Sequence, residues 1–165
     1  MQFGAATAPW LSIGFALSVW AAARRQPAGR VLLTYLVTWL VAYHVLYALG
    51  QSVPFSAAFR EALPWLLLAL PVSVILTPVA RLVTHSGLLA DACLAVPIAW
   101  SVPETVGNAQ RNDAVIALAI ALLALAPIAA ARRRDIRITT VVLAALLLAA
   151  LALLLGPIAR GQIHS

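Results

Sequence analysis

The chain has 165 residues, of which 64% are hydrophobic and 10% charged, with 11 basic and 5 acidic side chains and a net charge of +6. An ordinary soluble domain carries roughly 25% charged residues. A mean hydropathy of +0.99 exceeds what a core of this size can hide from water, so a soluble globular protein is excluded and the bilayer is required as a second apolar solvent.

All eleven basic residues are arginine and none is lysine. With the abundance of Ala and Leu, this points to a GC-rich bacterial source and to the cytoplasmic (inner) membrane as the expected location. Nucleic acid is not an expected partner, because the arginines punctuate apolar runs instead of clustering on one polar face. The single cysteine, Cys93, excludes an internal disulfide, a CxxC pair and a cysteine-built zinc site. Met1 to Pro9 carries no positively charged region and no small-residue cleavage site, so the first apolar run is expected to stay in the mature protein.

An apolar run of about 17 to 25 residues is long enough to cross the hydrocarbon core as a helix, and six runs approach that length. The first, Gly4–Ala23, stops at Arg24 and Arg25, and a turn with Pro27, Gly29 and Arg30 leads into the second, Val31–Gly50. A polar stretch, Gln51–Glu61, precedes the third run, Ala62–Ala80, which ends at Arg81. The fourth, Gly87–Pro103, is the weakest because it contains Asp91, and Glu104–Asp113 reads as a loop. The fifth is Ala114–Ala131 and the sixth Ile138–Leu155, separated by a segment with Arg132, Arg133, Arg134, Asp135 and Arg137. The expected fold is an all-α integral membrane protein, a compact single-domain bundle of six transmembrane helices.

Arginines that flank spans stay on the cytoplasmic side far more often than not. With the N-terminus outside, Arg24, Arg25, Arg30, Arg81, Arg132, Arg133, Arg134 and Arg137 are cytoplasmic, eight against three (Arg60, Arg111, Arg160). Both termini are therefore expected on the extracytoplasmic side.

Runs five and six are almost pure Ala, Leu, Ile and Val, with Ala117 and Ala121, and Ala145 and Ala149, at the four-residue spacing that lets membrane helices approach closely. They read as scaffold. Run two carries Tyr35, Trp39, Tyr43 and Tyr47 every fourth residue, which places them within about 120° of one helix face. Such a stripe is either a packing ridge with interfacial anchors or an aromatic wall for a flat or isoprenoid-like molecule. His44 lies beside it, about six residues or roughly 9 Å from the outer end. A membrane histidine bonds a neighbouring helix, relays a proton or ligates haem. Haem is not expected, because His85 falls at the cytoplasmic end and His164 in the outer tail, leaving no second histidine at matching depth.

Run three holds Pro64, Pro71 and Pro78 at seven-residue spacing, so they share a face within about 20°. Pro71 is expected to kink the helix and free the carbonyl of Leu67, with Ser73 and Thr77 near enough to re-satisfy freed carbonyls. Run four offers Asp91, whose burial Arg81 or a water would offset, and Trp100. Glu104, Glu61, Arg60, Asn108, Gln110, Arg111 and Asp113 are expected to line an outer mouth above Trp65, Trp100 and His44.

No phosphate loop, HExxH, GxSxG or paired metal-ligand spacing is present. Ile75 to Arg81 is similar, over seven residues, to a segment of the ferric-reductase-like membrane domains. That resemblance implies haem-binding histidines on the helices that follow, and run four holds none. Three functions are compatible with the chain. The first is a binding or accessory subunit of a membrane complex, partnered by membrane lipids and by a membrane subunit or a lipophilic small molecule. The second is an intramembrane enzyme for an isoprenoid-like substrate, with His44, Asp91 and Glu104 catalytic and Tyr35, Trp39, Tyr43, Tyr47, Trp65 and Trp100 binding substrate. The third is a small transporter or channel, for which the two halves show no repeat.

Overall fold

The computed structural model describes residues 8–110, 113–131 and 135–161. Residues 4–7 of the first run, Arg111, Arg132, Arg133, Arg134 and His164 lie outside the described residues, as does the side chain of Ala149. Every element among the described residues is a helix: α1 (Ala8–Ala23), α2 (Ala28–Gln51), α3 (Phe55–Val83), α4 (Leu88–Gln110), α5 (Ala114–Ala124), α6 (Ala126–Ala131) and α7 (Ile138–Gly161). Among the described residues four stretches are long and apolar enough to cross a membrane: 28–51, 55–83, 88–110 and 114–131.

Three boundaries differ from those the sequence suggests. The stretch expected to be polar coil after α2 contributes Phe55–Glu61 to α3, because Pro54 holds φ at −55° and its carbonyl accepts the amides of Ala57 and Ala58. The expected loop after Pro103 is helical through Gln110. A proline removes one intrahelical bond, whereas ending the helix there leaves the carbonyls of a whole turn unpaired. The fifth run is divided at Leu125, two residues before Pro127, into α5 and α6. Pro127 has no amide to give the carbonyl of Leu123, and the chain tightens there, with Leu125 N–H donating to the Leu122 carbonyl at 3.1 Å.

Helix α3 is continuous through Pro64, Pro71 and Pro78. The hydroxyls of Ser73 and Thr77 donate to the carbonyls of Leu70 (2.7 Å) and Ser73 (2.5 Å), not to that of Leu67. A hydroxyl on a helix reaches only carbonyls three or four residues back, and Leu67 is out of that range for both.

The connections between α1, α2, α3 and α4 are short, so these helices run antiparallel in sequence order. Helix α1 is the one the others surround, packing against α2, α3, α4, α5 and α6, while α7 lies against α4. Its buried side chains are small or apolar: Ser12, Phe15, Ser18, Val19 and Ala21. At Gly14 a Cβ would stand 2.9 Å from the Tyr35 ring and 3.0 Å from Leu32 of α2, so only glycine allows that approach. The Ser18 hydroxyl donates to the Ala28 carbonyl at 3.3 Å and ties α1 to the start of α2. In α5 and α6, Ala117, Ile120, Ala124, Pro127 and Ala131 form one buried stripe at helical spacing. The outward faces carry large apolar side chains: Leu67, Leu70 and Ile75 on α3, Val115, Leu118 and Leu122 on α5, Leu146 and Leu147 on α7.

One buried carboxylate joins α4 to the start of α7. Asp91, in the first turn of α4, is 1% exposed, and its Oδ2 accepts the main-chain N–H of Arg137 at 3.3 Å. The Arg137 carbonyl accepts the amides of Thr140 and Val141, so Arg137 opens α7. The carboxylate therefore satisfies an amide at a helix N-terminus, where negative charge is favoured. Breaking a charged, buried bond of this kind costs about 1–3 kcal/mol. Asp91→Ala is expected to lower the unfolding free energy of the detergent-solubilised protein by about that amount. Chemical unfolding monitored by circular dichroism checks this, and an unshifted transition contradicts it.

Candidate functional site

The chemistry-bearing side chains gather where α1, α2 and α3 meet. A cleft of about 320 Å³ is lined by Trp10 and Leu11 of α1, by Leu36, Trp39, Leu40, Tyr43 and His44 of α2, and by Glu61, Trp65, Leu68, Ala69 and Val72 of α3. The antiparallel geometry explains its depth. His44 is seven residues before the end of α2 and Glu61 six after the start of α3. At 1.5 Å per residue each is about 10 Å from the connecting turn, so the two lie level.

The aromatic wall is a column. Trp10 and Trp39 stack with centroids 4.5 Å apart and planes 24° from parallel. Trp39 and Tyr43 follow at 5.5 Å and 23°, and Tyr43 and Tyr47 at 6.3 Å and 15°. Pairs of this kind contribute about 0.5–1.5 kcal/mol each beyond area burial. The geometry gives Trp39 a neighbour on both faces, which fixes the plane it presents along the cleft.

His44 is 9% exposed and stands edge-on to Tyr43, with ring centroids 5.1 Å apart. Its Nδ1 lies 2.8 Å from the Leu40 carbonyl oxygen, four residues back on α2. A carbonyl can only accept, so Nδ1 carries the proton, and in the uncharged tautomer this leaves the lone pair on Nε2. No buried side-chain nitrogen or oxygen among the described residues lacks a partner. His44 also lines a second cleft, of about 350 Å³, with Phe55, Phe59 and Ala62 among its walls.

The structure brings together only part of the set singled out from sequence. Trp39, Tyr43, His44 and Trp65 meet in the cleft, with Glu61. Tyr47 extends the column beyond it, and Tyr35 packs against Gly14 of α1 instead. Trp100 packs on the core from α4. Glu104 lies in the second half of α4, where its main-chain carbonyl accepts the Asn108 amide at 2.7 Å, and it does not line the cleft. Asp91 sits at the start of α4, a full length of α3 away from the turn near His44. His85, just past α3, is likewise at that far end and donates Nδ1–H to the Arg81 carbonyl at 2.9 Å. Among the described residues no three His, Cys, Asp or Glu side chains converge as metal ligands.

Trp10 is the member that sequence reasoning passed over. Its signal is an aromatic residue in the first turn of α1 with no aromatic four residues away on its own run. No protein-family model, curated protein or solved structure matches the chain.

Two indoles stacked at 4.5 Å couple their electronic transitions. The circular dichroism of the purified protein is expected to show an exciton couplet that Trp10→Phe and Trp39→Phe each abolish and Trp65→Phe leaves in place. A couplet that survives both of the first two substitutions contradicts the column.

Proposed function

We propose that the protein is a multi-pass membrane protein that binds a lipophilic small molecule in the cleft between α1, α2 and α3, serving as a binding or accessory subunit of a membrane complex. The observation that carries this reading is the cleft wall: stacked Trp10, Trp39 and Tyr43, with Trp65 and aliphatic side chains beside them, around about 320 Å³, with His44 and Glu61 among its described acid and base groups. Ligand sites for small apolar molecules have this make-up, a mostly apolar and aromatic lining with a few convergent polar groups, and begin at about 300 Å³. The volume suits a ring with a short chain, or one segment of a longer lipid. The catalytic alternative built on His44, Asp91 and Glu104 draws no support from a geometry that leaves the three apart.

In the same reading the chain crosses the bilayer six times, with α5 and α6 as one span, α3 bent at Pro71, and both termini outside a bacterial cytoplasmic membrane. The support is the arginine distribution. Arg24, Arg25 and Arg30 flank the α1–α2 turn, and Arg81 closes α3 at the same end of the bundle. That orientation puts the cleft in the outer half of the membrane. A reporter fused after Ser165 is expected to be active only when it is an extracytoplasmic reporter, and activity of a cytoplasmic one instead contradicts the topology.

Binding is read from the tryptophans. A brominated alkylbenzene, whose bromine quenches nearby indoles, is expected to quench the fluorescence of the full-length protein in lipid nanodiscs with saturation. Trp39→Leu takes the central ring out of the wall and is expected to raise the half-saturation concentration several-fold, the worth of one aromatic contact of about 0.5–1.5 kcal/mol to a bound ring. Quenching that is linear and identical in both proteins contradicts the proposal.

A further inference from the structure

The polar groups of the cleft define which end a bound lipophile presents, an inference that rests on the binding reading above. Three observations bear on it. First, among the described residues Glu61 is the one charged side chain in the lining, and no described arginine joins it. The Glu61 side chain makes no hydrogen bond or ion pair to another described residue. Second, Nδ1–H of His44 is taken by the Leu40 carbonyl, so Nε2 is the ring nitrogen left for a ligand, an acceptor in the uncharged tautomer. That atom has no bond to the protein, and since no unpartnered buried nitrogen exists among the described residues, it keeps open surface. Third, the two acceptors lie level, each about 10 Å from the α2–α3 turn.

We infer that the cleft selects lipophiles whose polar end is a hydroxyl group that donates a hydrogen bond, phenolic or alcoholic, to the acceptor pair His44 Nε2 and Glu61. The competing heads lose on magnitude. An anionic head, a fatty-acid carboxylate or a phosphate, meets the Glu61 carboxylate and no counter-charge. A head that only accepts, an ether or a ketone, depends on the indole N–H groups and the Tyr43 hydroxyl. Those donors are neutral, whereas a hydrogen bond to a carboxylate in its ionised form is roughly twice as strong. An ammonium head has the right donors, but stripping its hydration in a mostly apolar cleft offsets what pairing with Glu61 returns. A hydroxyl carries no such cost. The stacked column then covers the apolar body of the molecule while its O–H faces the acceptors.

The test uses two probes that differ only in the donor: 4-octylphenol and its methyl ether, 4-octylanisole. Both are titrated by calorimetry into the full-length protein in zwitterionic lipid nanodiscs at about pH 8, well above the ordinary imidazole pKa of about 6.5. The phenol is expected to bind about tenfold more tightly than the ether, the worth of one charge-assisted hydrogen bond. That preference is expected to shrink to threefold or less in Glu61→Leu, an exposed position tolerant of change, and in His44→Phe. Equal affinities in the wild-type protein, or a tenfold preference kept in both variants, overturn the donor selection and leave the lipophile site standing. Failure of both probes to bind overturns the site itself and the inference with it.

Discussion

The structure depends on how closely α1 lets its neighbours approach. Between lipid-exposed helices there is no hydrophobic driving force, so close packing and short polar contacts must hold the bundle together. Helix α1 meets this with Ser12, Gly14, Ser18 and Ala21 on its buried positions, and with Phe15 and Val19 filling the interior. Gly14 admits the Tyr35 ring and Leu32 against the α1 backbone, and a Ser18 hydroxyl reaches the Ala28 carbonyl. Similar logic recurs between α2 and α3, where a Cβ on Gly29 would stand 2.7 Å from the Thr77 hydroxyl. The long helices close around the shortest long segment because its side chains take so little room.

The cleft is a consequence of the same arrangement. Trp10 is in the first turn of α1, ahead of Ser12 and Gly14, and its ring stacks on Trp39 of α2 and lines the cleft. Where two helices are joined by a turn of only three residues, equal offsets from the turn face each other, which sets Glu61 level with His44. The polar pair thus sits at one depth, with rings on one side and Leu68, Ala69 and Val72 on the other. At the opposite end of the bundle the chemistry is structural: Asp91 is spent on the Arg137 amide and joins α4 to α7.

That the chain folds into apolar helices follows from hydropathy alone, and four of them among the described residues meet the length a bilayer sets. Their ends do not follow from it, since Pro54 and Pro103 both act as punctuation in a soluble chain, yet one opens a helix and the other sits inside one. The aromatic stripe was visible as a spacing, but its division was not. Four residues advance about 40° around a helix, so over the stripe Tyr35 has turned toward α1 while Trp39 and Tyr43 face the cleft and Tyr47 reaches past it. The Asp91 partner, 46 residues away and a main-chain amide, leaves no mark in residue identity. Trp10 escaped because its stacking partner belongs to another helix, and pairwise stacking across helices has no period to read.

The account stands on the cleft between α1, α2 and α3 being the place where a lipophilic molecule is held. Photolabelling reads this most directly: an alkylphenol carrying a diazirine on its chain is irradiated with the full-length protein in nanodiscs, and the modified peptides are sequenced by mass spectrometry. The predicted result is labelling concentrated on Leu36–His44 of α2 and Glu61–Val72 of α3, competed away by unmodified alkylphenol. Labelling spread over the outward faces of α5 and α7, at Leu118, Leu122, Leu146 and Leu147, with no competition, would show that the molecule dissolves in the surrounding lipid and that the cleft is packing alone.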